Sequence, residues 1–122
     1  MKRVFLSLPM SGRTDEDIWK QIEQMTKSIE SHHYDWKITH NMLTEPELDL
    51  FDLMEDIKHK PLLYLAAAIT RMSQCDCILF GTGWEWARGC RIEAQVAKEY
   101  GLEMYYMDGN VIVNARRETE EV

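Results

Sequence analysis

With 122 residues, 45% of them hydrophobic, the chain is long enough for one domain, residues 1–122, with a core of its own. Its net charge of −7, from 14 Lys and Arg against 21 Asp and Glu, lacks the basic footprint of a nucleic-acid binder, so polymeric DNA or RNA is not an expected partner. No stretch has the apolar length to span a bilayer, and Met1-Lys2-Arg3 opens onto only about five strand-like residues instead of a signal-peptide core, so a cytoplasmic protein without a membrane partner is expected.

Val4, Phe5, Leu6, Ser7 and Leu8 form a short, nearly unbroken apolar run, the pattern of a central parallel strand covered on both faces. Pro9, Met10, Ser11, Gly12 and Arg13 follow at its carboxyl end. They offer a rigid turn, a backbone that a ligand can approach, a hydroxyl and a guanidinium, where open α/β sheets bind ligands. An ordinary strand-to-helix connection is the plain alternative. Thr14 is placed to cap the next helix, with Asp15, Glu16 and Asp17 at its positive end. Ile18, Ile22, Met25 and Ile29 then repeat at helical spacing until residues 31–35 break the pattern. Trp36, Ile38 and His40 alternate with Lys37 and Thr39, which predicts a less buried strand near an edge, with His40 a surface residue at its end.

Residues 41–61 are acidic, with Glu45, Glu47, Asp49, Asp52, Glu55 and Asp56 among Leu50, Phe51, Met54 and Ile57, and Pro46 suits a helix first turn. The segment reads as a solvated surface helix, with a lid as the alternative. Pro61 starts an apolar helix through Leu62, Leu65, Ala66, Ile69 and Met72 to Ser73, expected to be mostly buried. Residues 75–80 supply the next strand and Gly81-Thr82-Gly83-Trp84-Glu85-Trp86 a loop that opens into a helix over 87–101. That loop suits an anion but has neither dinucleotide nor P-loop spacing. Trp84 and Trp86 either plug the top of the sheet or stack on a planar base. The three cysteines, Cys75, Cys77 and Cys90, and four histidines show no zinc-site spacing, so neither a metal nor a disulfide is expected.

The helix over 87–101 carries one misplaced charge. At about 100° per residue, Cys90, Ile92, Ala94, Val96, Ala97 and Tyr100 fall on one apolar arc and Glu93 projects near its middle. A carboxylate there loses water and must be bonded, paired or protonated. Its small neighbours suit a pocket; a structural ion pair with Arg71 or Arg88 is the alternative. Gly101 caps the helix. Met104 to Met107, Asp108-Gly109 and Val111 to Val113 read as a hairpin, and the polar tail from Ala115 as frayed. The whole predicts a single-domain, open and mainly parallel α/β sheet with helices on both faces, flavodoxin- or Rossmann-like, with a C-terminal hairpin.

Phe5-Leu6-Ser7-Leu8-Pro9-Met10-Ser11-Gly12, Cys75-Asp76-Cys77-Ile78-Leu79-Phe80 and Arg88-Gly89-Cys90-Arg91-Ile92-Glu93 with Ala97 resemble the nucleoside 2-deoxyribosyltransferase-like superfamily, closest to its short phage and bacterial branch, over roughly residues 3–107. The resemblance implies a nucleophilic Glu93 that attacks the sugar anomeric carbon, expels the base and passes the sugar to another base or to water. It places Ser7, Met10, Ser11 and Gly12 around the sugar or base and adds Asp76, at the end of the strand before the active loop, to the catalytic set. Pro9, Arg13, Gly83, Trp84, Arg88, Gly89 and Arg91 complete the expected binding residues. No cofactor is implied, and a homodimer or higher homo-oligomer is, with the hairpin at residues 110–114 a candidate contributor to a neighbour's site. Better-characterised transferases carry an Asp-x-Gly-Thr type sequence shortly before the glutamate; here the stretch reads Trp84-Glu85-Trp86-Ala87-Arg88-Gly89, with Glu85 as the substitute acid. Arg88 and Arg91 bring positive charge instead, so hydrolysis of a nucleoside monophosphate competes with base exchange between nucleosides. The rival from another class is a non-catalytic nucleotide-binding module.

Overall fold

A computed structural model describes residues 1–115. Strand β1 (Lys2–Ser7) lies at the centre of a five-stranded sheet. Around it the chain adds α1 (Asp15–Ser31), β2 (Trp36–His40), α2 (Glu45–Leu53), α3 (Lys60–Met72), β3 (Cys77–Phe80), a 3₁₀ turn at Trp84–Trp86, α4 (Arg88–Tyr100), β4 (Glu103–Asp108) and β5 (Val111–Asn114). The strand order is β2-β1-β3-β4-β5. All neighbours are parallel except the hairpin pair β4 and β5. The open, mainly parallel sheet with its C-terminal hairpin is the architecture the alternation of elements predicts.

Right-handed crossovers dictate the layers. From β1 the chain moves outward to β2 through α1, then back across β1 to β3 through α2 and α3, so the two connections occupy opposite faces. On one face Val4, Leu6, Cys77 and Leu79 bury against Ile18, Ile22, Met25 and Ile29 of α1. On the other, Phe5, Ile78 and Phe80 pack against Ala68 and Met72 of α3 and Ala97 of α4. Because β1 sends its connections both ways, the switch point lies between the carboxyl ends of β1 and β3, where open α/β sheets form a crevice.

Local signals account for the element ends. Thr14 caps α1 by accepting from the Asp17 N–H at 3.2 Å, with Asp15, Glu16 and Asp17 in the first turn. Thr44 and Glu47 form a reciprocal capping box for α2, and Gly101 ends α4 at φ 76°. No residue of α2 is buried, in keeping with a surface helix.

Three expectations need correction. Helix α3 is not mostly buried: only Ala68 and Met72 are, while Leu62 is 61% exposed and Tyr64 and Ile69 are also open. A crossover helix touches the sheet along one stripe; Leu63, Ala66 and Ala67 of α3 instead line a groove of about 320 Å³ with Leu50 and Phe51 of α2 and Met54 just after it. On α4 the buried stripe is narrower than the apolar arc, comprising Cys90, Glu93 and Ala97, with Ile92 and Tyr100 exposed. His40 is half-buried, its ring edge-on to Trp19 with centroids 4.9 Å apart and its Nδ1 accepting from the Met42 N–H at 3.2 Å. Burial and the charge of Arg71 lower its pKa below the usual histidine range. No helix among the described residues is long and apolar enough to cross a membrane. The tail beyond Ala115 lies outside the described residues.

Candidate active site

Parallel register brings three strand ends into a row. Leu6 pairs with His40 and Ser7 with Phe80. Asn41, the residue after β2, therefore lies beside Ser7 on one side, and Phe80 lies beside it on the other. Alternation along β1 turns Phe5 and Ser7 to the face that α3 and α4 cover. There Ser7, fully buried, donates its Oγ–H to Glu93 Oε1 at 2.8 Å.

Glu93 is 3% exposed on the buried stripe of α4. Asn41 also hydrogen-bonds its carboxyl. Burial pushes the carboxyl up to about 7, and the bonds from Ser7 and Asn41 offset only part of that rise. The ion-pair alternative does not hold. Arg71 is engaged by Glu47 of α2, Arg88 is exposed, and Glu93 has no basic partner among the described residues. Gly89 lies one turn before Glu93, and a Cβ there would stand 3.9 Å from Oε2, in ordinary contact. Cys90 is buried on the same stripe, its thiol pushed up to about 11 by burial, so it stays protonated at neutral pH.

Three buried polar atoms are without partners among the described residues: Asn41 Oδ1 after β2, Trp84 Nε1 after β3, and Arg71 Nη1 on α3. Trp84 packs on Phe80 with ring centroids 4.6 Å apart, so it plugs the top of the sheet as one of the two tryptophan readings holds. Trp86, at 87% exposure, does not plug the sheet.

The loop after β1 separates from Glu93 once past Ser7. Gly12 at φ 74° and the Arg13 N–H to Met10 carbonyl bond turn it back toward α1. Arg13 donates to the Pro9 carbonyl at 2.8 Å, to the Asp17 carbonyl at 3.2 Å and to Gln21 Oε1. Met10 packs on the α1-side core, and Ser11 and Gly12 are exposed. Pro9 and Arg13 line an open cavity of about 660 Å³ with Lys20, Gln21, Thr82 and Asn110, on the opposite face from Glu93. Gly83, at φ 90°, closes on Pro9: a Cβ there would stand 3.4 Å from Pro9 Cγ. The expected meeting of Glu93 with the loop over 9–13 is thus replaced by a meeting with Ser7 and Asn41.

Asp76 is at the wrong end of the sheet. It precedes β3, and its Oδ2 accepts the Arg3 N–H at 2.8 Å. Arg3 lies four residues before Ser7, about 13 Å along the strand. Its role is to join β1 and β3 at their amino ends. Glu85 and Arg91 are exposed, and Arg91, two residues before Glu93, sits about 200° round the helix from it. Arg88 occupies the first turn of α4, whose N-terminus has no side-chain cap. Among the described residues no group of three His, Cys, Asp or Glu side chains is gathered as a metal site.

Asn41 is the site residue that sequence reasoning missed. Its signal was available: the residue following an edge strand lies level with the end of the central strand when the two run parallel. No curated protein matches this chain, nor does any solved structure. One family does match, over residues 2–106, from β1 into β4 and across Ser7, Asn41, Trp84 and Glu93 alike, and the chain belongs to it: the family described as a domain of unknown function, DUF4406.

Proposed function

We propose that the protein cleaves the N-glycosidic bond of a nucleoside or nucleoside monophosphate through a glycosyl ester on Glu93. The observation that supports this reading best is a buried carboxyl at the switch point of the sheet, held by Ser7 and Asn41 with no basic partner among the described residues. The sequence resemblance to the deoxyribosyltransferase-like superfamily at residues 88–93 points the same way. In the first step an electron pair of the carboxylate forms the bond to the anomeric carbon. The bond to the base nitrogen breaks, and its pair leaves with the base, which takes up a proton. In the second step water or another base attacks the same carbon and gives up a proton to solvent, and the ester oxygen leaves with its pair as carboxylate. A pKa of about 7 leaves a large ionised fraction at pH 7 to 8, and positive charge developing on the sugar stabilises that form. No second carboxyl stands near Glu93 in the site described above, so the leaving base takes its proton from water. Arg88, beside the uncapped end of α4, holds a 5′-phosphate where the substrate carries one.

Incubation with nucleosides and their monophosphates, followed by chromatography for free base, tests this reading. Glu93→Gln is expected to bind ligand and release no base. A 2-fluorinated nucleoside analogue is expected to add its sugar to the wild type, seen by intact-mass spectrometry, and not to the variant. Release of base by Glu93→Gln at the wild-type rate refutes the nucleophile. The near-complete burial of Glu93 favours a second reading, a nucleotide-binding module without chemistry. Ligand binding with neither base release nor adduct decides for it.

A further inference from the structure

Asn41 does two things at once. A carboxylate only accepts hydrogen bonds, so the contact of Asn41 with Glu93 is made by Nδ2–H. The amide is thereby oriented, and Oδ1 is left buried with no partner among the described residues. A buried acceptor in that state is a standing demand for a donor.

We propose that this donor is the hydroxyl on the sugar carbon next to the anomeric carbon, so that Asn41 selects ribosyl over 2-deoxyribosyl nucleosides and nucleotides. The inference rests on the reading of Glu93 given above. In a β-nucleoside the base stands on one face of the sugar ring, and in-line attack comes from the other. The 2′-hydroxyl of a ribose projects from that attacked face, toward Glu93. A carboxylate oxygen poised for attack lies about 3 Å from the anomeric carbon. An amide that donates to that carboxyl carries its own carbonyl oxygen two bonds from the donor nitrogen. Of the ribose hydroxyls, only the 2′-hydroxyl is on a carbon bonded to the anomeric centre, so it is the donor nearest Oδ1. A 2-deoxy sugar leaves the demand unmet.

Asn41 is the residue from which the chain leaves β2 for α2, so a substrate reaches Oδ1 by displacing the segment over 41–44, in which Met42 packs on the α1-side core and its N–H bonds His40 Nδ1.

The test compares kcat/KM for base release from ribonucleosides and their 5′-monophosphates with that from the 2′-deoxy counterparts, in wild type and Asn41→Leu. A 2′-hydroxyl intrinsically slows departure of the base, so the readout is the change in the ribo-to-deoxy ratio. Loss of the acceptor is expected to lower that ratio about 5- to 150-fold. If both series fall together at an unchanged ratio, Asn41 only supports Glu93 and the proposal is overturned. Calorimetric binding of ribo-, 2′-deoxy- and 2′-fluoro-nucleotides to Glu93→Gln requires neither turnover nor a folded Asn41 variant. Ribose is expected to bind tighter than both analogues, since neither presents a donor; equal binding of all three overturns the proposal, as does binding of none. Ribose-selective binding with no base release from the wild type ends the catalytic reading and leaves the sugar assignment standing.

Discussion

Replacing Glu93 with Gln is expected to make the protein more stable, by an amount that depends on pH. In the folded chain burial raises this carboxyl to about 7, against an ordinary value of 4.5. Below pH 4.5 the group is protonated in both states, and its burial carries no charge penalty. Between pH 4.5 and 7 the unfolded chain loses the proton while the folded chain keeps it. The unfolded state then binds fewer protons, and stability falls as pH rises. Above pH 7 the penalty is fully present. At about 1.36 kcal/mol per pH unit between those two values it reaches roughly 3 kcal/mol. Glutamine does not ionise and escapes it. For a chain of this size each kcal/mol moves the midpoint by about 3–5 °C, so the variant should melt about 10 °C above wild type at pH 8. Below pH 4.5 the two should melt nearly together. Far-UV circular dichroism melts of both proteins from pH 4 to 9 measure this directly. Hydrogen bonds that glutamine makes differently with Ser7 and Asn41 shift the whole difference curve without changing its slope. A difference that does not vary with pH, or one that falls as pH rises from 4.5 to 7, refutes the account of Glu93 as a buried carboxyl without a compensating cation.

Asp76→Asn is expected to leave base release unchanged and to lower stability by about 1 kcal/mol or less, read by urea denaturation, because the Asp76 carboxylate accepts the Arg3 N–H at the far end of the sheet. A large loss of activity returns it to the catalytic set. Arg88→Ala is expected to raise KM for nucleoside monophosphates about tenfold and to leave nucleosides unaffected. Equal KM for both substrates, unchanged by the substitution, removes the phosphate from the reading.

The fold was legible because its determinants are local. The apolar run over residues 4–8, the spacing of Ile18, Ile22, Met25 and Ile29, the Thr14 and Gly101 caps and the Asp108-Gly109 turn each act within a few residues of themselves. Helix α3 was misjudged because periodicity counts apolar positions without counting what covers them. Leu62 and Tyr64 are apolar and exposed, since the neighbouring helix α2 reaches only part of that surface. Within the site, the burial of Glu93 was legible in one helix turn. Its partners were not, because they come from strands 86 and 52 residues away in the chain. Arg13 misled for the same reason. A guanidinium after a central strand reads as a ligand contact, yet its acceptors, the Pro9 and Asp17 carbonyls and Gln21, all lie within eight residues and draw it to the α1 face.

The placement of Asp76 and Asn41 shows how strand polarity decides such questions. Both are polar residues that adjoin a strand next to β1. Asp76 enters its strand, so parallel pairing carries it to the amino end with Arg3; Asn41 leaves its strand, so the same pairing carries it level with Ser7. At that end the buried groups form an unbalanced set: one carboxyl with two donors, one free acceptor on Asn41 and one free donor on Trp84. A network kept only for packing would be more stable with apolar side chains of similar volume. What relieves this one is a partner that is cationic where Glu93 lies and hydroxyl-bearing beside it. A sugar losing its base is such a partner, because its positive charge develops at the anomeric carbon while its hydroxyls stay on the neighbouring carbons.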